Sequence, residues 1–148
     1  MSVVDRTQPA QSQTLAFEIE LPHPREKVWR ALTDPALLSE WLLQVVELAL
    51  EPGASFVFRT QPHPGWDGTV HCTVLEVTPH ERLRYTWAVG GMALDTVVTF
   101  TLAATPAGTL LQIEQSGFTP EQKQNFGGAR YGWRLMGGRL VALLGAGA

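Results

Sequence analysis

Residues 119–144 read TPEQKQNFGGARYGWRLMGGRLVALL. Thr119-Pro120-Glu121-Gln122 has the form of a capping box: a hydroxyl residue stands three before an amide, and proline sits where its missing N–H costs nothing. Phe126, Trp133 and Leu140 then recur every seven residues, with Ala129, Met136 and Leu143 or Leu144 beside them. One apolar stripe of this period predicts a helix of about 25 residues, ~37 Å long. Such a helix needs an apolar face to lie on.

That face is upstream, where the apolar period changes to two. Gln44 to Leu50, Ala54 to Gln61, Gly68 to Val77, a strand around Leu83, Tyr85, Trp87 and Val89, Thr96 to Ala103, and Thr109 to Phe118 are expected strands. Glu51-Pro52-Gly53-Ala54 predicts a type II turn, Gly90-Gly91 a two-residue hairpin, and Pro106-Ala107-Gly108 another turn. Short turns between consecutive strands force an antiparallel meander. Its aromatic-rich face must be covered, and only the last helix is available to do so.

Before the meander, Leu15, Phe17, Ile19 and Leu21 alternate with polar or small residues from Thr14 to Leu21, a half-buried strand ended by Pro22. Two short helices follow. Pro24 opens the first, in which Val28, Ala31 and Leu32 face the core. Asp34 caps the second and Pro35 begins it, with Leu37, Leu38 and Trp41 apolar. The expected class is therefore α+β: a seven-stranded curved antiparallel sheet wrapped around a long C-terminal helix, with two short helices after the first strand.

Composition supports one globular domain. Hydrophobic residues make up 45 % of the 148 residues and charged residues 17 %. The expected division is a leader without structure at 1–13 and a single domain at 14–148. A net charge of -3 argues against a nucleic-acid partner. Arg82 with Arg84, and Arg130 with Arg134 and Arg139, are interspersed with apolar residues and read as solvated faces or pocket rims. No apolar run reaches the ~18 residues of a membrane span, so no membrane association is expected. The single cysteine, Cys72, forms no internal disulfide, which fits a reducing, cytoplasmic setting.

Catalytic and metal signatures are absent from the sequence. There is no nucleophile elbow, phosphate-binding loop or dinucleotide fingerprint. His23, His63 and His80 lie beside prolines or in turns and are expected at the surface. His71 shares the parity of Thr73 and Leu75 and is expected to point inward, away from its neighbour Cys72. No His, Cys, Asp or Glu spacing suits zinc, so neither a metal nor a cofactor is expected. Asp67 and Asp95 read as turn formers.

The order of elements resembles the helix-grip fold of the START-related SRPBCC superfamily. The local wording is similar to its family of activators of a heat-shock-protein ATPase (Aha-type). Val28-Trp29-Arg30-Ala31-Leu32-Thr33-Asp34-Pro35 with Leu38 and Trp41 carries the resemblance. So do Pro52-Gly53 with Phe56 and Phe58, the segment from Glu76 through Tyr85-Thr86-Trp87, and Ser116-Gly117-Phe118 with Gly132-Trp133. The resemblance spans roughly residues 15 to 145. It implies a cavity between sheet and last helix that takes lipids, polyketides or other apolar molecules.

Two positions depart from the family pattern. Gln115 stands where the family usually has histidine before Ser-Gly-Phe, so an amide that cannot titrate replaces an imidazole. Gly137 stands at an inward helix position where leucine is usual. Gly127, Gly128, Gly132, Gly137 and Gly138 all fall in the expected helix, each at a cost of up to ~1 kcal/mol relative to alanine. Gly128 and Gly132 read as packing positions. Gly137 fits either close packing or volume withheld from the core.

The expected ligand-binding set is Trp41, Phe56, Phe58, Tyr85, Trp87, Val98, Phe100, Gln115, Tyr131, Arg134 and Gly137, with no catalytic residue. The expected function is binding or carriage of a small apolar ligand. The resemblance keeps two alternatives, a chaperone-ATPase-interacting module and a polyketide cyclase-like enzyme. An uncovered edge strand leaves room for a homodimer.

Overall fold

The computed structural model describes residues 3–7, 13–62, 67–89 and 94–147. The elements run β1 (Val3–Asp5), β2 (Thr14–Leu21), α1 (Arg25–Thr33), α2 (Pro35–Trp41), β3 (Gln44–Val46), β4 (Ser55–Arg59), β5 (Thr69–Thr78), β6 (Arg82–Val89), β7 (Leu94–Thr105), β8 (Gly108–Ser116) and α3 (Lys123–Gly145). They build one open sheet in the order β1-β2-β8-β7-β6-β5-β4-β3, and every described pairing is antiparallel.

The sheet therefore has eight strands, one more than the seven expected. Val3–Asp5, within the expected leader, pairs Val3 with Ile19 and Asp5 with Phe17. Three residues are too few to show a period, so this strand leaves no pattern in the sequence. The alternation of β2 gives its observed bounds, and Leu15, Phe17, Ile19 and Leu21 are all buried.

Local chemistry accounts for most other boundaries. The Asp34 carboxylate accepts a hydrogen bond from the Ala36 N–H at 2.9 Å, capping α2, and Pro35 is its first residue. Trp41 ends α2 and its indole N–H donates to the Ala31 carbonyl at 2.8 Å, locking the two short helices together. Gly53 has φ 90° in the turn before β4, the conformation a type II turn requires. Gly108, at φ 153°, follows the Pro106–Ala107 turn, and a Cβ there would lie 2.3 Å from the Leu21 carbonyl oxygen. The expected Gly90-Gly91 hairpin and His63 lie outside the described residues.

β3 stops at Val46, short of the expected Leu50, because Glu47 adopts φ 60° and turns the chain. Leu48 and Leu50 pack on the core without strand pairing. The capping box closes ahead of the helix rather than in it. The Thr119 N–H donates to the Gln122 side-chain oxygen at 2.9 Å, but α3 begins at Lys123 with Gln122 as N-cap. Phe118 packs edge-on against Phe126, with ring centroids 5.3 Å apart, and fixes that entry.

α3 buries Phe126, Trp133, Gly137, Leu140 and Leu144. At 23 residues it spans ~34 Å. Lys27 of α1 donates to the Leu144 carbonyl at 3.0 Å, placing a cation at the negative end of the helix dipole.

Candidate functional site

The inner face of the meander carries a continuous aromatic cluster. Phe56 meets Phe58 at 5.3 Å between centroids and Tyr85 at 5.2 Å, both edge-on. Tyr85 leads to Phe100 at 5.9 Å, and Phe100 to Trp133 at 5.9 Å and Trp41 at 6.4 Å. Trp41, Phe56, Phe58, Tyr85, Val98 and Phe100 are all at most 4 % exposed. Beneath α1 and α2 this cluster closes with Leu32, Leu38 and Leu83 and leaves no room for a water molecule. Burial pushes the Tyr85 phenol well above its ordinary pKa.

The packing opens on the other side of Trp133. A cavity of about 340 Å³ lies between the first half of α3 and the sheet. Its walls are Val70 of β5, Trp87 and Val89 of β6, and Gln115 of β8, with Leu43 and Thr60 at its edges. The helix side is Gly128, Ala129, Gly132, Trp133 and Met136. A Cβ on Gly128 would meet nothing within 4 Å, and one on Gly132 only the Met136 methyl at 3.6 Å. These two glycines, one helical turn apart, withhold the volume. The reading of Gly128 and Gly132 as packing positions is corrected here: no facing element comes close to either, and both border the cavity instead.

Trp87 and Gln115 are the members of the expected set that line the cavity. Gln115 is 2 % exposed and anchors a buried hydrogen-bond chain. The Trp133 indole N–H donates to its Oε1 at 2.8 Å. Its Nε2 donates to the Thr96 hydroxyl at 2.9 Å, and that hydroxyl donates to the Trp87 carbonyl at 2.9 Å. An indole nitrogen can only donate, so the orientation of the amide is determined. No described lining residue is titratable, so these residues offer no group that moves a proton near neutral pH.

The remaining expected positions lie elsewhere. Tyr131 is 69 % exposed on the outer face of α3. Arg134 also faces outward and donates to the Asp5 carboxylate at 2.9 Å, beside Arg130 at 2.6 Å. Gly137 borders no void. A Cβ there would fall 2.6 Å from Val3 Cγ2 and 3.3 Å from Ile19 Cδ1. Of the two readings of that glycine, close packing is the observed one, and β1 supplies the packing.

The histidines correct two expectations. His71 is exposed and Cys72 is buried, because β5 places its even-numbered residues inward up to the irregularity between Val74 and Glu76. His23 and His80 are half-buried rather than free at the surface. His23 lies 3.4 Å from the Lys27 ammonium, and His80 packs edge-on against Trp29. Burial lowers the pKa of His23, and the Lys27 charge lowers it further. Two other hollows, over the outer face of β4–β6 and beside the β7–β8 turn, are open and lined by a mixture of polar, charged and apolar residues.

An open antiparallel sheet gripping a C-terminal helix over an apolar cavity defines a START-related helix-grip domain. Within that class the chain belongs to the activator of Hsp90 ATPase homolog 1-like family, whose model matches residues 22–145. It is similar to protein MLL2253 from Mesorhizobium loti, at 40 % identity over 92 % of this chain and 99 % of that one, with a TM-score of 0.85. It is similar to protein CV1439 from Chromobacterium violaceum, at 28 % identity over 88 % and 96 % of the two chains, with a TM-score of 0.72. A third likeness is DynU16, a protein of the dynemicin biosynthetic locus: 25 % identity, TM-score 0.76, covering 93 % of this chain and 49 % of that one. No curated protein sequence matches significantly. No helix among the described residues is long and apolar enough to cross a membrane.

Proposed function

We propose that this protein binds and carries a small apolar molecule in the cavity between α3 and the sheet. One observation carries the reading: a hollow of about 340 Å³ walled by apolar side chains, with an oriented buried amide in its wall. Ligand sites of this kind span ~300–1,000 Å³ and combine apolar walls with a few placed polar groups. The space exceeds the ~30 Å³ share of a single water many times over, and an apolar wall holds water poorly. DynU16 lies in a biosynthetic locus, which suits a fold that handles small molecules.

We favour binding over turnover because the described walls hold no acid, base or nucleophile. A co-chaperone role rests on the family's name alone. A cytoplasmic setting is part of the proposal, supported by the lone Cys72 thiol, which is free and buried. The test is native mass spectrometry of the protein purified from its own host. The expected result is a small-molecule adduct that is released on denaturation. An unadorned chain, together with no binding of an apolar fluorescent probe, would sink the reading.

A further inference from the structure

We infer that the ligand of this cavity carries an uncharged acceptor oxygen, of the carbonyl or ether class, that receives the second amide N–H of Gln115. This deepens the apolar-ligand reading and rests on it. The side chain has two N–H donors and spends one on the Thr96 hydroxyl at 2.9 Å. Trp133 holds its oxygen at 2.8 Å, so the amide cannot turn over to offer its carbonyl instead. Among the described residues the Thr96 hydroxyl is the one acceptor to which Nε2 hydrogen-bonds. Gln115 is nonetheless 2 % exposed and forms part of the cavity wall. A buried donor without an acceptor is costly, whereas a carbonyl oxygen with one lone pair unused is tolerated more readily. The second N–H therefore calls for an acceptor.

The charge of that acceptor follows from the walls. No described lining residue carries a positive charge, and an unpaired carboxylate in such a place would cost several kcal/mol. A neutral oxygen meets the donor without that cost. Thr60 is exposed at the cavity's edge, and the half-buried Trp87 indole N–H is a second donor in the wall. Gln115→Met leaves both in place, so the change it makes reports on the amide alone.

The test compares two probes of one shape, 2-acetylnaphthalene and 2-isopropenylnaphthalene, on the wild-type chain and on Gln115→Met. The four dissociation constants form a cycle in which the hydration of each probe cancels. The preference for the ketone over the alkene should fall about tenfold in the variant, the upper range for one neutral hydrogen bond. An unchanged preference overturns the inference while leaving the apolar-ligand reading intact. Failure of both probes to bind the wild type, together with an unadorned chain in native mass spectrometry, sinks that reading and the inference with it. If an adduct is present instead, one that lacks a neutral oxygen overturns the inference. Should Gln115→Met fail to fold, the infrared carbonyl band of the ketone bound to wild type decides. A shift to lower frequency than in hexane supports the inference, and a band at the hexane position overturns it.

Discussion

Val3 occupies the space that a side chain at position 137 would need: a Cβ built on Gly137 would lie 2.6 Å from Val3 Cγ2. The glycine is the socket for β1, and the strand and the last helix are packed through it. Gly137→Ala should gain up to ~1 kcal/mol of helix propensity and lose more to overpacking, for a net loss of about 1–2 kcal/mol. Val3→Ala in the same chain should recover most of that loss, since the methyl groups at fault are gone. Denaturant unfolding of the two single variants and the double variant checks the coupling. Additive effects would show that the two residues do not share this contact.

The same strand is tied to α3 by charge. Asp5 accepts from Arg130 at 2.6 Å and from Arg134 at 2.9 Å. Burial opposes ionisation of Asp5, but hydrogen bonds from Arg130 and Thr7 and the Arg130 charge outweigh it and hold the carboxyl well below its usual range. A carboxyl with a lowered folded pKa stabilises above its unfolded value and loses that effect as pH falls towards the folded one. The tether is thus fully present above about pH 5 and weakens below about pH 4. Asp5→Asn should cost about 1–2 kcal/mol at pH 7, between an exposed ion pair and a charge-assisted hydrogen bond. The gap between variant and wild type should narrow as pH drops from 4 to 2. A gap independent of pH would mean that Asp5 acts through shape alone.

Much of this architecture is legible in the residues themselves. The alternation from Thr14 to Leu21 gives β2 its bounds, and Asp34-Pro35 gives α2 its cap. Even the aromatic face of the meander follows from parity. The position of the cavity does not. A helical stripe tells which side chains point at the sheet, but not which part of the sheet stands opposite, nor what else fills the gap. At Gly137 the filler is Val3, on a strand too short to announce itself. At Gly132 only the Met136 methyl comes near, and the space remains. Glycines on one helix thus acquire opposite meanings from partners distant in the chain.

Cys72 offers a probe of opening. It is 2 % exposed, and burial pushes its thiol far above the ordinary cysteine value. The thiolate is the reactive form, so the folded protein should resist maleimides at pH 8 and react promptly in denaturant. Labelling rates across a denaturant series should follow global unfolding. Fast labelling under native conditions would show that β5 or its neighbours open locally.

Gly132 should respond oppositely to Gly137. A Cβ there meets only the Met136 methyl at 3.6 Å, an ordinary contact, so alanine enters without strain. Gly132→Ala should stabilise the protein by about 0.5–1 kcal/mol, chiefly by restricting the unfolded chain. For a domain of this size that raises Tm by about 1–4 °C. Gly132→Leu should fill part of the 340 Å³ cavity and weaken apolar-probe binding by about tenfold or more, as lost contact area predicts. Thermal melts and probe titrations on both variants separate the two effects. If leucine at 132 leaves affinity unchanged, the ligand does not lie under this turn of α3, and the cavity is packing slack rather than a site.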